Sequence, residues 1–452
     1  MIDFNKFTKY SKPGPRYTSY PTALEFDEKF NSKSLEDEFK NQDSSRPISL
    51  YFHLPFCRSA CYFCGCNVVY TSKDEKKDRY IDYIEKELAI LVKHLDASRE
   101  VLQLHFGGGT PTFFDEVQLK RVCDLIRSHF KNFSDEAEIS CEIDPRFFTT
   151  KHMDVLKEAG FNRISFGVQD FNPKVQEAVH RVQSYEVTQN AIKIARDGGV
   201  GSVNIDLIYG LPYQSFETFK ETLSLAHSLD ADRYAVFNYA HVPWLMKTMR
   251  KIDETTLPHP SVKLEILKYS IDFFESHGYK MVGMDHFAKP EDELFKAIEK
   301  DQLHRNFQGY TTKGGADLIG VGLTSIGEGR DYYVQNHKDM KAYEAAIDEG
   351  ILPVVRGIKL NDDDVLRNHV IMELMSNFQL NIKKVEELFS INFKEYFADA
   401  IDKLQIYIDE DLVSIDDEWI KASPTGAMLI RNISMPFDAY MVDKDKRFSK
   451  TI

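Results

Sequence analysis

The sequence has little that would place the protein in a membrane, outside the cell or on nucleic acid. Its 452 residues contain no apolar run approaching the ~20 residues that a membrane-spanning helix needs. The first residues, MIDFNKFTKYSKPGPRY, lack the apolar core and the cleavage site of a signal peptide. Basic residues are outnumbered, with 57 Lys and Arg against 71 Asp and Glu, and the net charge is −14. We therefore expect a cytoplasmic protein with no membrane partner and no nucleic-acid partner.

Cysteine is also scarce, but its distribution is uneven. Only six cysteines occur, and four of them, Cys57, Cys61, Cys64 and Cys66, lie close together in HLPFCRSACYFCGCN. Disulfides that staple a chain of this size would be spread along it, so clustered thiols indicate metal or redox chemistry. The spacing C-x3-C-x2-C has no second Cys/His pair of the kind that a zinc site uses. The other two cysteines are isolated and are expected to be small buried residues.

Three of the clustered thiolates suit an iron–sulfur site. Cys57, Cys61 and Cys64 can ligate one corner each of a [4Fe–4S] cube and leave one iron open to a small chelating molecule. Cys66 competes for the fourth position, but the single residue between it and Cys64 would require a tight reversal of the loop. We predict a three-cysteine [4Fe–4S] cluster, with zinc and reactive or structural thiols as the alternatives.

From about residue 47 the sequence alternates between strand-like and helix-like segments. Amphipathic helices are indicated at 78–95 and 215–229, between strands that are rich in Val, Ile and Phe, as in parallel sheets covered by helices. The predicted strands are 48–55, 101–109, 137–144, 162–170, 202–210 and 233–240. Six such units predict the α/β fold class, with a barrel or partial barrel.

Two flanking regions have a different character. Residues 1–46 include KPGPRYTSYPT and are expected to form an extended N-terminal arm. Residues 47–350 are assigned to the barrel. Residues 351–452 read as helices with a short hairpin and are expected to form a mainly helical, winged-helix-like C-terminal domain.

Polar and glycine-rich residues recur at the carboxyl ends of the predicted strands. Active sites of α/β barrels are built at that end, and the cysteine loop follows the first strand. The glycine run in HFGGGTP (105–111) has neither the dinucleotide nor the P-loop spacing, and three glycines allow a ligand to approach the backbone closely. The other polar residues at these ends are Glu142, Asp144, Gln169, Asp170, Asp206 and Asn238.

The cysteine loop after the first strand, the glycine run after the second and an incomplete barrel together resemble the radical S-adenosylmethionine enzymes. Phe63 precedes the third cysteine, as an aromatic residue commonly does in that family's loop. Longer segments are similar to the oxygen-independent coproporphyrinogen III oxidases, and the resemblance covers nearly the whole chain. These segments are GPRYTSYPT, LYFHLPFCRSACYFCGCN, LHFGGGTPT, EIDPR, GFNRISFGVQDFN, NIDLIYGLP, FNYAHVP, GMDHFA, LHRNFQGYTT and SPTGAMLIRN.

The resemblance implies a radical (β/α)6 partial-barrel enzyme of porphyrin and haem biosynthesis. The open iron would chelate S-adenosylmethionine, and one electron would cleave that molecule to methionine and a 5′-deoxyadenosyl radical. The radical would take hydrogen from the β-carbon of a propionate, and loss of carbon dioxide with one electron would leave a vinyl group. Two such steps would convert coproporphyrinogen III to protoporphyrinogen IX. The electron would come from a donor such as a flavodoxin or ferredoxin, and we expect a monomer.

The resemblance also assigns residues to sites. The cluster ligands fall on Cys57, Cys61 and Cys64. The first S-adenosylmethionine site falls on Tyr51, Phe63, Gly108, Glu142 and Ile326. A second S-adenosylmethionine site falls on Gly109, Thr110, Gln169, Arg181, Asp206 and Ala240.

The substrate carries four propionates, which an acidic protein must meet with local cations. Arg16, Arg305, Gln308 and Lys313 are the candidates, and the arm is expected to act as a lid over the cavity. The main rival function is a haem-binding chaperone related to these enzymes. As we read the resemblance, such relatives lack the C-x-C ending made here by Cys64 and Cys66 and lack GPRYTSYPT. A zinc-stabilised binding module and a radical enzyme acting on another tetrapyrrole are the further alternatives.

Overall fold

One twelve-stranded sheet forms the centre of the described part of the chain. The computed structural model describes residues 2–10 and 12–441. Met1 and Ser11 of the predicted arm and residues 442–452 of the predicted C-terminal domain lie outside the described residues. In chain order the strands are β1 (Ile48–Leu54), β2 (Phe56–Cys57), β3 (Val69–Tyr70), β4 (Val101–Gly108), β5 (Phe133–Ile143), β6 (Arg163–Gln169), β7 (Ser202–Tyr209), β8 (Arg233–Asn238), β9 (Lys280–Val282), β10 (His286–Ala288), β11 (His304–Asn306), β12 (Gly309–Thr311), β13 (Asp317–Val321), β14 (Ile326–Glu328), β15 (Tyr332–Asn336), β16 (Val354–Lys359), β17 (Gln379–Asn381), β18 (Val413–Ile415) and β19 (Trp419–Ala422).

Helices cover the outer face of the sheet and form most of the C-terminal part. They begin mostly at side chains that cap the first backbone N–H groups, such as Asp115 and Asn361. In chain order the helices are α1 (Asn5–Tyr10), α2 (Ser32–Lys40), α3 (Asp74–Leu91), α4 (Glu116–His129), α5 (Thr150–Glu158), α6 (Pro173–Ala178), α7 (Tyr185–Asp197), α8 (Phe216–Ser228), α9 (Pro260–Ser276), α10 (Glu293–Ile298), α11 (Met340–Asp348), α12 (Asp362–Asn377), α13 (Ile382–Phe389), α14 (Phe393–Tyr396), α15 (Ala398–Ile408), α16 (Pro424–Met428) and α17 (Ile430–Ser434).

The six predicted barrel strands are confirmed and lie side by side in the order β1-β4-β5-β6-β7-β8, all parallel. Burial alternates along β6, where Ile164, Phe166 and Val168 pack under the helices. Ser165 and Gly167 of the same strand point to the inside, where they contact Asp206 and Arg181. Because the strands are parallel, the segments that follow them meet at one rim of the barrel.

The sheet is an open, partial barrel. Its full order is β16-β15-β14-β13-β1-β4-β5-β6-β7-β8-β10-β9, and no hydrogen bonding joins its two ends in the described part of the chain. β13 is parallel to β1, while β14, β15 and β16 add an antiparallel meander beyond it. Most of the segment 327–336 therefore belongs to the sheet.

The N-terminal and C-terminal parts pack together. The predicted extended arm contains two helices, α1 and α2, and its residues Tyr17 and Tyr20 are fully buried. The Tyr17 hydroxyl donates to Asp438 at 2.9 Å, and the Arg431 Nε donates to the carbonyl of Pro15 at 2.9 Å. The C-terminal part consists of helices with a three-stranded sheet, β17-β19-β18. The division into three domains stays a prediction, since β16 (Val354–Lys359) still belongs to the large sheet.

Candidate active site

The cysteine loop leaves the carboxyl end of β1 and is closed at its base by a short parallel pair, β2 and β3. The Val69 N–H donates to the Pro55 carbonyl at 2.8 Å, and the Thr71 N–H donates to the Cys57 carbonyl at 3.2 Å. Cys61, Cys64 and Cys66 therefore lie on one tethered loop, at the rim of the barrel. All six cysteines are free of disulfides.

The thiols of Cys57, Cys61 and Cys64 lie close enough to affect one another electrostatically. Burial raises the pKa of Cys57 to about 12, whereas hydrogen bonds from the Cys66 side chain and backbone lower the pKa of Cys64 to about 7. The Cys66 N–H lies 3.4 Å from the Cys64 sulfur. Cys66 is thus a hydrogen-bond donor to a neighbouring sulfur, and it is exposed itself.

These thiols fit a cube better than a single ion. Among the described residues, no three Cys, His, Asp or Glu side chains are grouped closely enough to hold one metal ion. A [4Fe–4S] cube takes each thiolate on a different iron, so its three cysteines need not converge on one point. The donor set therefore suits the cluster that the spacing predicted.

Two arginines approach the sulfur of Cys61. The Arg181 Nη1 lies 3.7 Å from that sulfur and 3.3 Å from Asp144, and its Nη2 donates to the Gly167 carbonyl at 2.6 Å. Arg146 pairs with Asp144 at 2.7 Å. Arg181 is thus no solvated surface charge, since its side chain is 11% exposed. Hydrogen bonds and positive charge near the sulfurs of an iron–sulfur cluster change its reduction potential.

The glycine run lies directly against the cysteine loop. The Gly109 N–H donates to the Leu54 carbonyl at 2.8 Å, and the Thr110 N–H donates to the Phe56 carbonyl at 3.0 Å. Gly108 has a φ of +111°, in the region that favours glycine. A Cβ at Gly109 would stand 2.6 Å from the Phe56 carbonyl oxygen, so only glycine allows this approach.

Four polar side chains of neighbouring strands form a chain on the inner face. The Tyr51 hydroxyl lies 3.0 Å from the Nδ1 of His53, and the Tyr51 ring stacks on His105 at 5.8 Å. The His105 Nε2 lies 3.5 Å from Glu142, and its Nδ1 lies 2.7 Å from the Ser140 hydroxyl. Burial alone would raise the pKa of Glu142, but the hydrogen bond and charge of His105 hold it below its ordinary value. Glu142 is therefore a carboxylate that can accept from an ammonium or a hydroxyl group.

The next strands supply further polar groups to the same interior. Gln169 has a φ of +71°, and its buried Oε1 has no partner in the part of the chain that the structure describes. The same holds for the buried Oδ1 of Asn204 and of Asn238. Asp206 accepts from the Ser165 hydroxyl at 3.1 Å and from Asn204 at 2.7 Å. Unpaired buried polar atoms on one inner face indicate a polar ligand.

Asp206 is the group for which we predict a pH effect. Burial, followed by the charge of Glu142, raises the pKa of Asp206 to about 6, above its ordinary 3.8. Its contribution to stability is thus present below pH 3.8 and is lost as the pH rises through 6. In protein without S-adenosylmethionine, Asp206→Asn should raise the free energy of unfolding at neutral pH by about 1 to 3 kcal/mol. Urea unfolding across the pH range should show this gain shrinking toward acid pH.

The same substitution should weaken binding of S-adenosylmethionine at neutral pH, because it removes a carboxylate suited to a ribose hydroxyl or an ammonium group. The amide that replaces the carboxylate keeps both hydrogen bonds, since the Ser165 hydroxyl can accept as well as donate. If Asp206→Asn raised the free energy of unfolding equally at all pH values, the gain could not come from removing the buried charge of Asp206.

The remaining predicted contacts are apolar. Phe63 packs against a group of apolar side chains that includes Leu211 and Tyr239. Tyr239 directly precedes Ala240 in the chain. Ile326 is the first residue of β14. It packs against another group of apolar side chains, which includes Phe26, Phe307 and Tyr333. The structure thus brings the predicted residues of β1, β4, β5, β6 and β7 to one lumen, while the assignment of each to a particular ligand stays a prediction.

A second group of cations surrounds the buried Arg431. Burial, together with the positive charges of Arg16 and Arg305, lowers the pKa of Arg431 to about 9. Against the effect of burial, the charge and hydrogen bond of His286 hold the pKa of Asp285 below its ordinary value, and the charges of Arg305 and Arg16 add to this effect. Two of the predicted substrate residues thus lie near each other. Arg431 and Asp285 were missed as partners, because the sequence places them far apart and only GMDHFA and MLIRN marked their segments.

The two other candidates for binding the substrate, Gln308 and Lys313, lie near Arg305 in the chain. The Nε and Nη1 of Arg305 and the Nε2 of Gln308 are buried without a partner in the described part of the chain. Arg305 and Lys313 line a cavity of about 250 Å³ between the β11–β12 hairpin and α12. Arg305 also lies 4.7 Å over the Tyr310 ring.

Comparison with known proteins shows the family of this chain. The Radical SAM superfamily model matches residues 51–226, and the HemN C-terminal domain model matches residues 360–429. An oxygen-independent coproporphyrinogen III oxidase of Helicobacter pylori is 57% identical over 100% of this chain and 99% of its own. The chain belongs to the oxygen-independent coproporphyrinogen III oxidases. The enzyme of that name from Escherichia coli is 45% identical over 100% of this chain and 98% of its own.

The fold of the chain is also similar to that of a coproporphyrinogen III oxidase. A solved structure described as coproporphyrinogen III oxidase (HemN) from Escherichia coli, a radical SAM enzyme, has a TM-score of 0.92. It is 43% identical and covers 97% of this chain and 99% of its own. The predicted family, the partial-barrel fold class and the prediction of a radical oxidoreductase are therefore confirmed. The family implies a [4Fe–4S] cluster and S-adenosylmethionine, and no helix in the described residues is long and apolar enough to cross a membrane.

Proposed function

We propose that this coproporphyrinogen III oxidase acts on coproporphyrinogen III without oxygen and yields protoporphyrinogen IX. Each of two propionates would lose a hydrogen atom from its β-carbon to a 5′-deoxyadenosyl radical. Loss of carbon dioxide, with one electron passing to an acceptor, would then leave a vinyl group. The observation that carries the proposal is the junction of the cysteine loop, the glycine run and the polar inner face at one rim. Full-length similarity to enzymes of this name supports it.

Cys57, Cys61 and Cys64 hold the cluster. Bound together, the cluster and S-adenosylmethionine supply a 5′-deoxyadenosyl radical. Glu142 accepts a hydroxyl or ammonium hydrogen, and the backbone of Gly108 allows close approach of that ligand. The residues assigned to the first S-adenosylmethionine are Tyr51, Phe63, Gly108, Glu142 and Ile326.

A second S-adenosylmethionine is part of the proposal. Asp206 and Gln169 offer it separate polar groups on β7 and β6, and Ala240 borders the same rim. Arg181 is suited to a methionine carboxylate, although its guanidinium also contacts Asp144 and the sulfur of Cys61. Binding of two equivalents in a calorimetric titration would support this part, and one equivalent would remove it.

The substrate propionates are assigned to the second group of cations and its neighbours. Arg16, Arg305 and Lys313 provide positive charge, and Gln308 provides a buried amide without a partner in the described residues. Arg16 lies in the N-terminal arm, which packs on the C-terminal part. We propose that the arm is a lid, that the protein is a cytoplasmic monomer, and that a flavodoxin or ferredoxin supplies the electron.

The function is tested by an anaerobic turnover assay. Cluster-reconstituted protein is mixed with S-adenosylmethionine, dithionite and coproporphyrinogen III, and mass spectrometry follows 5′-deoxyadenosine and the porphyrinogens. Products with one and then two vinyl groups are expected. Deoxyadenosine without any change in the porphyrinogen would remove the substrate, and neither product from protein with an intact cluster would favour the haem-binding chaperone.

Arg305→Gln is expected to raise the KM for coproporphyrinogen III by about tenfold or more, because it removes a charged partner of a propionate. The cluster content and the binding of S-adenosylmethionine should be unchanged, since Arg305 lies away from the cysteine loop. Lys300→Gln is a matched control, because Lys300 is exposed after α10. An unchanged KM in the Arg305 variant would contradict the assignment.

A further inference from the structure

An exposed face with both apolar and basic side chains lies next to the cysteine loop. Trp244 is 46% exposed and Leu245 is 67% exposed, although large apolar side chains are usually buried. Both lie in the segment that follows β8, at the rim where the cysteine loop lies. We name this the donor face. It consists of Trp244, Leu245, Lys247, Arg250 and Lys251.

The donor face touches the cysteine loop through one aromatic residue. The Lys251 Nζ lies 4.9 Å over the ring of Tyr62, which stands directly after Cys61 in the chain. The Tyr62 N–H donates to the Val179 carbonyl at 2.9 Å, and its ring stacks on His180 at 5.1 Å. The segment and the loop are therefore packed together, and a protein bound on this face would lie beside the cluster ligands.

The charge of this face is opposite to that of the whole protein. The net charge of the chain is −14, yet residues 243–252 contain three cations and no acidic residue. Among the described residues, no ion pair involves Lys247, Arg250 or Lys251. The Arg250 Nε donates to the Pro243 carbonyl at 2.9 Å.

The acidic residues that follow are already engaged. Asp253 accepts from the Thr255 N–H at 3.0 Å and from its hydroxyl at 2.7 Å, as a helix cap. Glu254 lies 3.2 Å from the Nε2 of His241. Neither carboxylate forms an ion pair with a cation of the donor face.

From these observations we propose that the donor face docks an acidic one-electron carrier protein that reduces the cluster. This inference rests on the proposed function, because the reaction needs an electron and the described chain offers no other redox group. In the step, the reduced carrier loses one electron and the cluster gains it. A small basic patch with an aromatic centre suits a brief electron-transfer encounter, which is steered by charge and released quickly.

The test measures how fast a reduced, acidic flavodoxin reduces the cluster. Cluster-loaded full-length protein is mixed with it anaerobically in a stopped-flow instrument, and bleaching of the cluster absorbance is followed. K247E/R250E/K251E should slow this reduction by about tenfold or more at low ionic strength and weaken its salt dependence. Reduction by dithionite should be unchanged, because a small reductant needs no docking surface.

The control variant K131E/K157E/K280E carries the same change in charge at three exposed lysines near the amino ends of the strands. It should react within about twofold of the unmodified protein, because steering acts on the side where the carrier docks. Equal rates for the two triple variants would overturn the proposal.

A single substitution separates the effect of charge from any disruption of the cysteine loop. K247E leaves both the Lys251–Tyr62 contact and the Arg250–Pro243 bond in place and should slow reduction by flavodoxin about threefold. An unchanged rate in K247E would count against the donor face. The proposed function is judged separately, since unmodified protein that forms no vinyl product with dithionite would refute that function and leave the rate of cluster reduction unaffected.

Discussion

Replacing any one of Cys57, Cys61 or Cys64 with alanine is expected to abolish cluster assembly and to lower turnover by at least about 1,000-fold. The three thiols lie on a loop that is tethered at its base by the β2–β3 pair. With one thiolate missing, two irons would lack a protein ligand and the cube would be lost. Iron and sulfide analysis after anaerobic reconstitution measures this directly, together with formation of 5′-deoxyadenosine.

Cys66→Ala is the matched control for this experiment. Cys66 lies two residues after Cys64 and is exposed, and its backbone N–H, which does not depend on the thiol, lies 3.4 Å from the Cys64 sulfur. The variant should therefore retain its iron and sulfide. Loss of the cluster from Cys66→Ala, with retention in Cys64→Ala, would exchange the roles of the two residues.

Gly109→Ala is expected to weaken binding of S-adenosylmethionine by about 100-fold or more and to lower the cluster content. The new Cβ would stand 2.6 Å from the Phe56 carbonyl oxygen and 2.7 Å from the Pro55 carbonyl carbon. Both are backbone atoms at the base of the cysteine loop, so the clash can be relieved only by separating the glycine run from the loop. Such overpacking typically costs about 1 to 3 kcal/mol. Equilibrium binding of S-adenosylmethionine and iron analysis measure the two effects.

Gly65→Ala provides the comparison, because a Cβ at Gly65 would meet no atom within 4 Å. It lies between Cys64 and Cys66, so it is closer in the chain to the cluster ligands than Gly109 is. The variant should bind S-adenosylmethionine and assemble the cluster as the unmodified protein does. Equal losses in both variants would mean that flexibility, rather than close approach, is what these glycines provide.

Much of the site could be predicted because its parts are local. The spacing of Cys57, Cys61 and Cys64 is a property of one loop, and the glycine run directly follows one strand. The six parallel strands could be predicted since their apolar runs alternate with amphipathic helices, and the parallel arrangement then brings their ends together. The comparisons confirm the fold class and the family that these patterns indicated.

Other features were not visible in the sequence. The meander β14-β15-β16 extends the sheet beyond β13, because short antiparallel strands such as Ile326–Glu328 leave too few residues for a clear alternation. The contact of Arg181 with Asp144 and with the sulfur of Cys61 was likewise unforeseen. The family resemblance assigned Arg181 to a ligand, but no local pattern in the sequence places it beside the cysteine loop.

The sequence by itself determined the chemistry: which thiols, carboxylates and glycines the protein carries, and at which strand ends they stand. Only the tertiary structure decided which distant groups share an environment. Arg16, Arg305 and Arg431 gather around Asp285, and Lys251 reaches Tyr62 on the cysteine loop. The physical reason is that local patterns depend on backbone geometry and hydrophobic periodicity, which extend over a few residues. Electrostatic and packing contacts depend on distance in space, which only the folded chain defines.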